Sequence, residues 1–337
     1  MNTKNNILSV QALCEIAGVS RSGYYSWMKS KKNPDSKLNK KELQDQEEFK
    51  KILEAYQFRG YDKGSRGIRM RLLHMRVNFN RKKVQRLMRK YRLFCPIRKA
   101  NPYRRMAKAI KTSNYADNIL ERQFEEYGPG YVLLTDITYF FYGKDRQKAF
   151  LSAIKDAFTK QILAYVLSLS LEEDFVLETI NILFKNHEND IHCDALIHSD
   201  QGVHYTSLTF IELLKSKGLR QSMSRRGNCW DNAPQESFFG HMKDELNDKV
   251  KECEDFETLK TLIDDYIDYY NNDRYQMELA MLSPNEYLDY YKTGIYPLKD
   301  IIKEPENTKT KLDAIKTKSK IKELNSYLQL VVLIKFE

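Results

Sequence analysis

Three carboxylates mark the places where this chain has the residue types for chemistry. Asp136 lies in the middle of the apolar stretch YVLLTDITYFFY, Asp200 follows a short apolar run and precedes Gly202, and Glu236 lies in DNAPQESFFGHMKDEL. A charge on a buried strand is costly unless it is paired or binds a metal. Acids without an accompanying Cys or His set suit hard divalent cations, and Mg²⁺ prefers carboxylate oxygen. Two such ions can stabilise the attacking and the leaving oxygen of a phosphoryl displacement.

The stretch around Glu236 has helical periodicity. Phe239, Met242 and Leu246 form an apolar stripe, Glu236 lies at its shoulder, and Lys243 falls almost directly below Glu236. Each acid taken alone is as often a helix cap or a surface charge, so the prediction of an active site depends on all three converging.

An α/β layer is predicted to position these acids. Strands are expected at 131–142, Gln147–Asp156, Gln161–Leu171, Ala195–Ile197 and Leu219–Met223, and helices at Glu172–Asn186, Leu208–Lys217, Asn232–Leu246, Phe256–Tyr270 and Pro284–Tyr291. Strands and helices that alternate in this order are typical of a sheet covered by helices.

The charge of the chain is unevenly distributed. Residues 1–112 hold 29 Lys or Arg against 8 Asp or Glu, whereas the remainder holds 27 against 38. Between Lys63 and Ala116 there is no acidic residue. This asymmetry favours a first part that binds a polyanion, joined to a second part with another task. The alternative is an ordinary solvated basic face.

Two helical pairs are predicted in the basic part. In residues 9–29 a short helix stops at Gly18 and Ser20 caps a second one, and in residues 65–93 Asn80 caps the second helix. Both pairs suit a helix-turn-helix shape, with a plain helical hairpin as the alternative. The second pair has the charge of a duplex-DNA reader, and its candidate DNA contacts are Arg81, Lys82, Arg86, Arg89 and Lys90.

The five cysteines favour reduced thiols in a cytoplasmic protein, because they are widely spaced and odd in number. His192 and Cys193, with His187 and His198 nearby, have zinc-binding side chains, but their spacing fits no standard structural zinc site. We expect no membrane segment, since the apolar tail Tyr327–Phe336 is too short to cross a bilayer.

The motifs around the three acids resemble the Asp-Asp-Glu signature of bacterial insertion-sequence transposases whose enzyme is read from two overlapping frames. The matching stretches are TDITYF, HSDQGVHYTS and SMSRRGNCWDNAPQESFFGHMKDEL, and 35 residues separate Asp200 from Glu236, as in that family. Lys243 matches the family's basic residue after the glutamate. YNNDRYQMELAMLSPNEYL resembles the closing motif, with matches at Tyr270, Asn271, Arg274, Ser283 and Pro284. The resemblance extends over residues 10–292.

The resemblance implies a set of roles. Asp136, Asp200 and Glu236 would be catalytic and would bind two Mg²⁺ ions, with Mn²⁺ as a substitute. The enzyme would nick DNA to give a 3′-hydroxyl, which would then attack a second phosphodiester directly. Lys243 would hold DNA backbone near the cut. The residues expected to support the acids or to contact DNA are His198, Ser199, Gln201 and Asn232.

The resemblance also implies partners: double-stranded DNA at the element ends and the target, further copies of the chain in the DNA complex, and a first-frame partner protein or fusion. The chain departs from the family at Leu133, where the family usually has Trp, and this change should alter packing around Asp136. A retroviral integrase would normally carry a His-His-Cys-Cys zinc module at its front, whereas His74, Cys14 and Cys95 are wrongly spaced for one.

The predicted fold is α/β: a ribonuclease H-like, retroviral integrase-type core with a mixed sheet, preceded by a small all-α helix-turn-helix DNA-binding region. The predicted divisions are a helix-turn-helix-like segment at 1–40, a basic helical domain and linker at 41–116, the catalytic core at 125–250, C-terminal helices of the core at 251–296, and an unassigned Lys-rich tail at 297–337.

Two rival functions remain open from the sequence. One is a catalytically dead DNA-binding regulator of transposition, although all three acids and Lys243 are present. The other is a ribonuclease H-like nuclease that cuts RNA–DNA hybrids, which the basic helical part and the 35-residue interval disfavour. Magnesium-dependent nicking of an element end distinguishes the first rival, and a hybrid-cleavage assay the second.

Overall fold

A computed structural model describes residues 8–33, 36–96, 127–224 and 233–318 of the 337-residue chain. The residue Asn232 and the tail Tyr327–Phe336, both assigned roles from the sequence, lie outside these ranges. None of the helices in the described ranges combines the length and apolar character needed to cross a membrane.

Five helices form the N-terminal part: α1 (Val10–Ile16), α2 (Arg21–Lys32), α3 (Lys37–Gln57), α4 (Ser65–His74) and α5 (Arg81–Lys90). The predicted capping is confirmed, because Ser20 accepts a hydrogen bond from the Gly23 amide and Asn80 accepts one from the Lys82 amide. α3 spans the boundary expected at residue 40. It continues into the basic unit because its buried Ile52 and Ala55 pack in one cluster with α4 and α5.

The sheet has five strands: β1 (Val132–Tyr142), β2 (Gln147–Asp156), β3 (Ile162–Ser168), β4 (Leu196–Ser199) and β5 (Arg220–Met223). Their spatial order is β3-β2-β1-β4-β5. β1, β2 and β3 are antiparallel, whereas β4 pairs parallel to β1 and β5 pairs parallel to β4. β3 ends earlier than predicted, and Leu169 and Leu171 beyond it are exposed.

Helices cover both faces of this mixed sheet: α6 (Asp174–His187), α7 (Val203–Thr206), α8 (Leu208–Ser216), α9 (Ala233–Glu252), α10 (Phe256–Asn272) and α11 (Pro284–Thr293). α6 and α8 pack on one face, around Leu133, whereas α9 and α10 pack on the other, around Phe140 and Tyr142. α9 continues past the predicted end at Leu246, because Val250 extends its buried stripe by another turn.

The entry to β1 depends on a glycine and a buried acid. Gly130 has φ +76°, and a Cβ at this position would lie 2.0 Å from the Asp190 carbonyl oxygen, so a larger residue would displace backbone. The Gly130 amide donates to the Asp156 carboxylate at 2.7 Å. Asp156 also accepts bonds from the amides of Phe158 and Thr159, which fixes the turn between β2 and β3.

The basic helical unit packs against the core. Tyr61, which follows α3, is buried in the cluster formed by α9 and α10, and its hydroxyl donates to Asp265 at 2.6 Å. Arg59 pairs with three acids of the α10 region, Asp265, Asp268 and Asp273. On α4, the His74 ring stacks on Tyr275 at 3.7 Å, and its Nε2 lies 3.1 Å from Glu286. These contacts fix the unit relative to the sheet.

The residues that directly follow residue 296, up to residue 318, pack against the core. Leu298, Leu312 and Ile315 are buried in one cluster with Tyr287 and Tyr290 of α11, and residues 306–318 are helical. This packing extends the core beyond the boundary that the sequence suggested at residue 296.

Candidate active site and DNA-binding surface

The three predicted acids lie on three elements that meet at one edge of β1. Asp136 lies within β1, Asp200 directly follows β4, and Glu236 lies in the first turn of α9. β1 and β4 are parallel neighbours in which Leu134 faces His198. Asp136 and Asp200 each lie two residues further along, so the register places them side by side.

The electrostatics of Asp136 show that the acids are close. Burial is the largest cause that raises its pKa to about 7, and the charges of Asp200 and Glu236 raise it further. The Ile137 amide, which donates to Asp136 Oδ1 at 2.8 Å, and the ammonium of Lys243 act in the opposite direction. Mutually repelling carboxylates of this kind fit a divalent cation, since oxygen donors are its preferred ligands and its charge offsets their repulsion.

Asp200 is fixed by its own turn. The Gly202 amide donates to Asp200 Oδ1 at 2.8 Å, and a Cβ on Gly202 would lie 2.9 Å from the same oxygen. Ser199 Oγ donates to the Asp200 carbonyl at 2.9 Å. The carboxylate itself is exposed, so it can meet a ligand from solvent.

The start of α9 is anchored on β2 by two buried side chains that the sequence did not suggest. Lys155 Nζ donates to the Pro234 carbonyl at 3.0 Å, and Gln235 Nε2 donates to the Ala153 carbonyl at 3.3 Å. Both side chains are buried, whereas Glu236, the next residue in α9, is exposed. Burial lowers the pKa of Lys155 to about 7. The signal in the sequence was a lysine within the apolar run of β2.

The middle of α9 is held by the closing motif. Arg274 pairs with Glu245 at 2.7 Å, and both side chains are largely buried. Tyr270 packs edge-on against Phe238 of α9 at 4.7 Å, and Asn271 bonds both the amide and the carbonyl of Ile162 in β3 at 2.9 Å. These residues brace the helix that carries Glu236.

Lys243 lies one helical repeat after Glu236 and is half-buried. Its Nζ lies 4.6 Å from the Tyr139 ring centroid and 5.9 Å from that of Phe140. Burial lowers its pKa, and the charge of Asp136 opposes that effect. The ammonium is therefore near both β1 and the acids.

Two of the predicted supporting residues lie beneath the site. His198 is fully buried, and its ring nitrogens lie 2.9 Å from Ser222 Oγ and 3.0 Å from Ser224 Oγ, which ties β4 to β5. Ser199 is also buried. Burial excludes direct DNA contact by these two residues, whereas Gln201 is partly exposed beside Asp200.

The predicted DNA contacts on α5 divide into two groups. Arg86 makes two hydrogen bonds to Asp45 of α3, and Lys90 pairs with Glu42 and Asp45. The bonds from Arg86 are the main reason why the pKa of Asp45 lies well below its ordinary value. Arg86 and Lys90 thus face α3, and the structure uses them to hold two helices together.

The second group differs in pairing rather than in exposure, since all five of the predicted contacts on α5 are exposed residues. Within the described ranges Arg81, Lys82 and Arg89 do not pair with an acid. Arg81 also lines a cleft of about 530 Å³ together with Arg66, Arg69, Asn78, Asn80 and Met277. Among the described residues that line this cleft between the basic unit and the core there is no acid, so the cleft suits an anion.

A different trio comes together at the entry to β4. His192, Cys193 and Asp194 bring three ligand atoms within 4.8 Å of one another. His192 Nδ1, however, accepts the Asp194 amide at 3.0 Å, and the ring stacks on Tyr131 at 3.7 Å. His187 instead faces Asp190. The lone pair of Nδ1 is thus already used, and this trio makes a poor metal site.

Family models match three stretches of the chain. Two integrase core domain models match residues 126–229 and 236–290, which contain the sheet, α9 and all three acids. An HTH-like domain model matches residues 43–101, which contain most of the basic helical unit.

Curated relatives match most of the chain. InsK of Escherichia coli K12, which is named as a transposase for insertion sequence element IS150, is 32% identical over 287 residues, covering 85% of this chain and 96% of InsK. A transposase-like protein of Haemophilus influenzae is 37% identical over 213 residues, covering 63% of this chain and 94% of the Haemophilus protein. Among solved structures, the HTLV-2 integrase catalytic core with magnesium matches with 18% identity and a TM-score of 0.35, covering 45% of this chain and 93% of that one.

The sequence relatives and the domain models agree with the order of parts along the chain. The mixed sheet with its flanking helices is the integrase core domain, and the helices before it form the HTH-like region. The chain therefore belongs to the family of insertion-sequence transposases that carry an integrase core domain.

Proposed function

We propose that this chain catalyses the DNA 3′-end nicking and the strand transfer that move an insertion sequence. The observation that carries the proposal is the relative position of the three acids. Asp136 and Asp200 each lie two residues beyond a register pair of β1 and β4. Glu236 lies at the start of α9, which Lys155 and Gln235 anchor on β2. Three acids that repel one another at an exposed strand edge are unfavourable unless the site binds a cation.

Asp136, Asp200 and Glu236 would hold Mg²⁺, in two ions as the donor set allows, with Mn²⁺ as a substitute. The metal would supply Lewis-acid stabilisation of the attacking and leaving oxygens of the phosphodiester. Lys243, whose ammonium is near Asp136, would bind a phosphate next to the cut as a point charge. The bond from Lys155 to Pro234 and the ion pair of Arg274 with Glu245 keep Glu236 in place while DNA enters.

DNA recognition is proposed for the cations of α5 that do not pair with acids of α3. These are Arg81, Lys82 and Arg89, and Arg81 also lines the cleft with Arg66 and Arg69. The substrates would be duplex DNA at the element ends and the target, acted on by several copies of the chain and a first-frame partner. A cytoplasmic location would suit these substrates.

The decisive experiment is a nicking and strand-transfer assay on duplexes with the element's own ends, in Mg²⁺ and with chelator. Glu236→Gln should lose nearly all activity while it retains DNA binding. Glu252→Gln is the matched control, since it makes the same change at the exposed end of the same helix. Equal activity of wild type and Glu236→Gln would refute the assignment. If the enzyme cleaved an RNA–DNA hybrid but left the element-end duplexes uncut, that result would instead favour a ribonuclease.

A further inference from the structure

An exposed aromatic surface lies on the hairpin that β1 and β2 form beyond Asp136. Tyr139 and Phe141 are 47% and 42% exposed, although both lie in a strand of the core sheet. Their cross-strand partners are Phe150 and Lys148, so the four side chains share one face. β4 pairs with β1 only from Val132 to Leu134. In the part of the chain that the structure describes, no strand accompanies the rest of β1 on that edge.

Cations alternate with these rings. Lys148 Nζ lies 4.7 Å from the Tyr139 ring centroid and 4.9 Å from that of Phe150, and the Arg146 guanidinium lies 5.2 Å from that of Phe141. Lys243 contacts Tyr139 from α9. Within the described ranges neither Arg146 nor Lys148 pairs with an acid. The hairpin carries Lys144, Arg146 and Lys148 against the single acid Asp145. A net positive charge among exposed rings suits a polyanion that also has flat apolar faces.

We propose that Tyr139 and Phe141 stack unpaired DNA bases next to the scissile phosphate, while Arg146 and Lys148 hold the phosphates between them. Lys243 links the surface to the candidate active site, because its ammonium lies 4.6 Å from the Tyr139 ring centroid and interacts with the charge of Asp136. Asp136 lies three residues before Tyr139 on β1, so their side chains point to opposite faces of the sheet and meet at its open edge through Lys243. Three residues of strand span about 10 Å, or roughly three stacked nucleotides. This inference rests on the proposed function for its DNA substrate.

An aromatic platform has a chemical consequence that a purely basic surface lacks. Every base offers a face for stacking, so such a platform binds unpaired strands with little sequence preference. Bases that stack on protein are removed from the duplex, which would expose the phosphodiester beside the acids. A protein partner on this face would instead gain from apolar contact and would be hindered by the cations.

The test compares two single-stranded probes of equal length: an oligothymidylate and an oligonucleotide whose sugars carry no bases. Binding is measured by fluorescence anisotropy on the full chain with Mg²⁺ chelated. We expect the oligothymidylate to bind more tightly than the probe without bases. In the double variant Tyr139→Leu/Phe141→Leu the ratio of the two dissociation constants should fall by about fivefold for each ring removed. Lys148→Gln should weaken binding to both probes alike. Tyr127→Leu, which removes a 37% exposed ring before β1, should keep the preference.

Photo-crosslinking with 5-iodouracil in the oligothymidylate locates the contact, and the crosslinked peptide should contain Tyr139 and Phe141. Equal binding of the two wild-type probes, or an unchanged preference in the double variant, would overturn the proposal. So would loss of self-association in the double variant with DNA binding unaltered, which would assign the face to a second copy. Glu236→Gln separates the two proposals, because it should abolish nicking yet keep the preference for bases.

Discussion

Asp136 and Asp200 lie side by side because each is two residues beyond the register pair Leu134 and His198 of two parallel strands. Neighbouring strands are about 4.8 Å apart, so the register alone brings the carboxylates near each other. His198 is fully buried between two serines of β5 and the turn after it, which fixes the end of β4. The pairing of β1 with β4 thus assembles the site from residues 64 positions apart.

Asp136→Asn is expected to stabilise the metal-free protein at neutral and higher pH. The folded pKa of Asp136 is about 7, above the ordinary value of 3.8, so the unfolded chain releases this proton first. Stability therefore falls as pH rises from about 4 to 7 and stays lower above 7. Thermal unfolding with chelator should show a higher Tm for the variant at pH 8 than for wild type.

The same pair of proteins tests the metal. Added Mg²⁺ should raise the Tm of wild type and have much less effect on Asp136→Asn. An identical shift in both would show that the ion binds elsewhere.

Lys155→Met is expected to reduce nicking by about tenfold or more without loss of stability. The methionine fills the buried space but cannot hold the Pro234 carbonyl, so Glu236 loses part of its positioning. Burial already disfavours the charged form of Lys155, so an apolar side chain of similar length removes an unfavourable charge from the core. Lys185→Met, on an exposed position of α6, is the control. A variant with wild-type activity would contradict the positioning role.

The pH dependence of stability separates Lys155 from other lysines. Its folded pKa is about 7 and its ordinary value is 10.5, so between these values the unfolded chain binds a proton that the folded chain lacks. Wild type should therefore gain stability as pH rises through this window. Urea unfolding at several pH values should show a smaller gain for Lys155→Met.

Arg274→Met is expected to cost about 3–5 kcal/mol of unfolding free energy, because it leaves Glu245 buried without its partner. Adding Glu245→Leu should recover much of this loss, since the uncompensated charge is then gone. Urea denaturation of wild type and of the single and double variants measures both effects. No recovery in the double variant would show that the pair is needed for more than charge balance.

Arg89→Gln should weaken DNA binding and Arg86→Gln should lower stability, although both remove one positive charge from α5. Arg89 is exposed and should contact phosphate, so its loss should reduce the slope of log K against log salt by about 0.9. Arg86 is bonded to Asp45, which is 4% exposed, so its loss should destabilise the unit by about 1–3 kcal/mol. Anisotropy with duplex DNA at several salt concentrations, and urea unfolding, distinguish the two.

Local pattern was enough for most of the secondary structure. The apolar run of β1, the caps at Ser20 and Asn80, and the periodicity of α9 are properties of short segments, so each was predicted from its own neighbours. The errors concerned the residues at which predicted strands and helices end. β3 stops before Leu169 and α9 runs on to Glu252, because packing on the sheet decides where an element ends.

The sequence by itself determined most of the helices and strands and the excess of positive charge in the first part of the chain, and it singled out the three acids as candidates. Tertiary structure decided which cations pair with acids, since Arg86 and Lys90 bond to acids of α3 that are some 40 residues away. It also decided that Lys155 holds the start of α9 and that the basic unit rests on α10 through Arg59 and Tyr61. Periodicity reports which side of a segment is apolar, whereas the partner on that side is fixed by packing between residues remote in sequence.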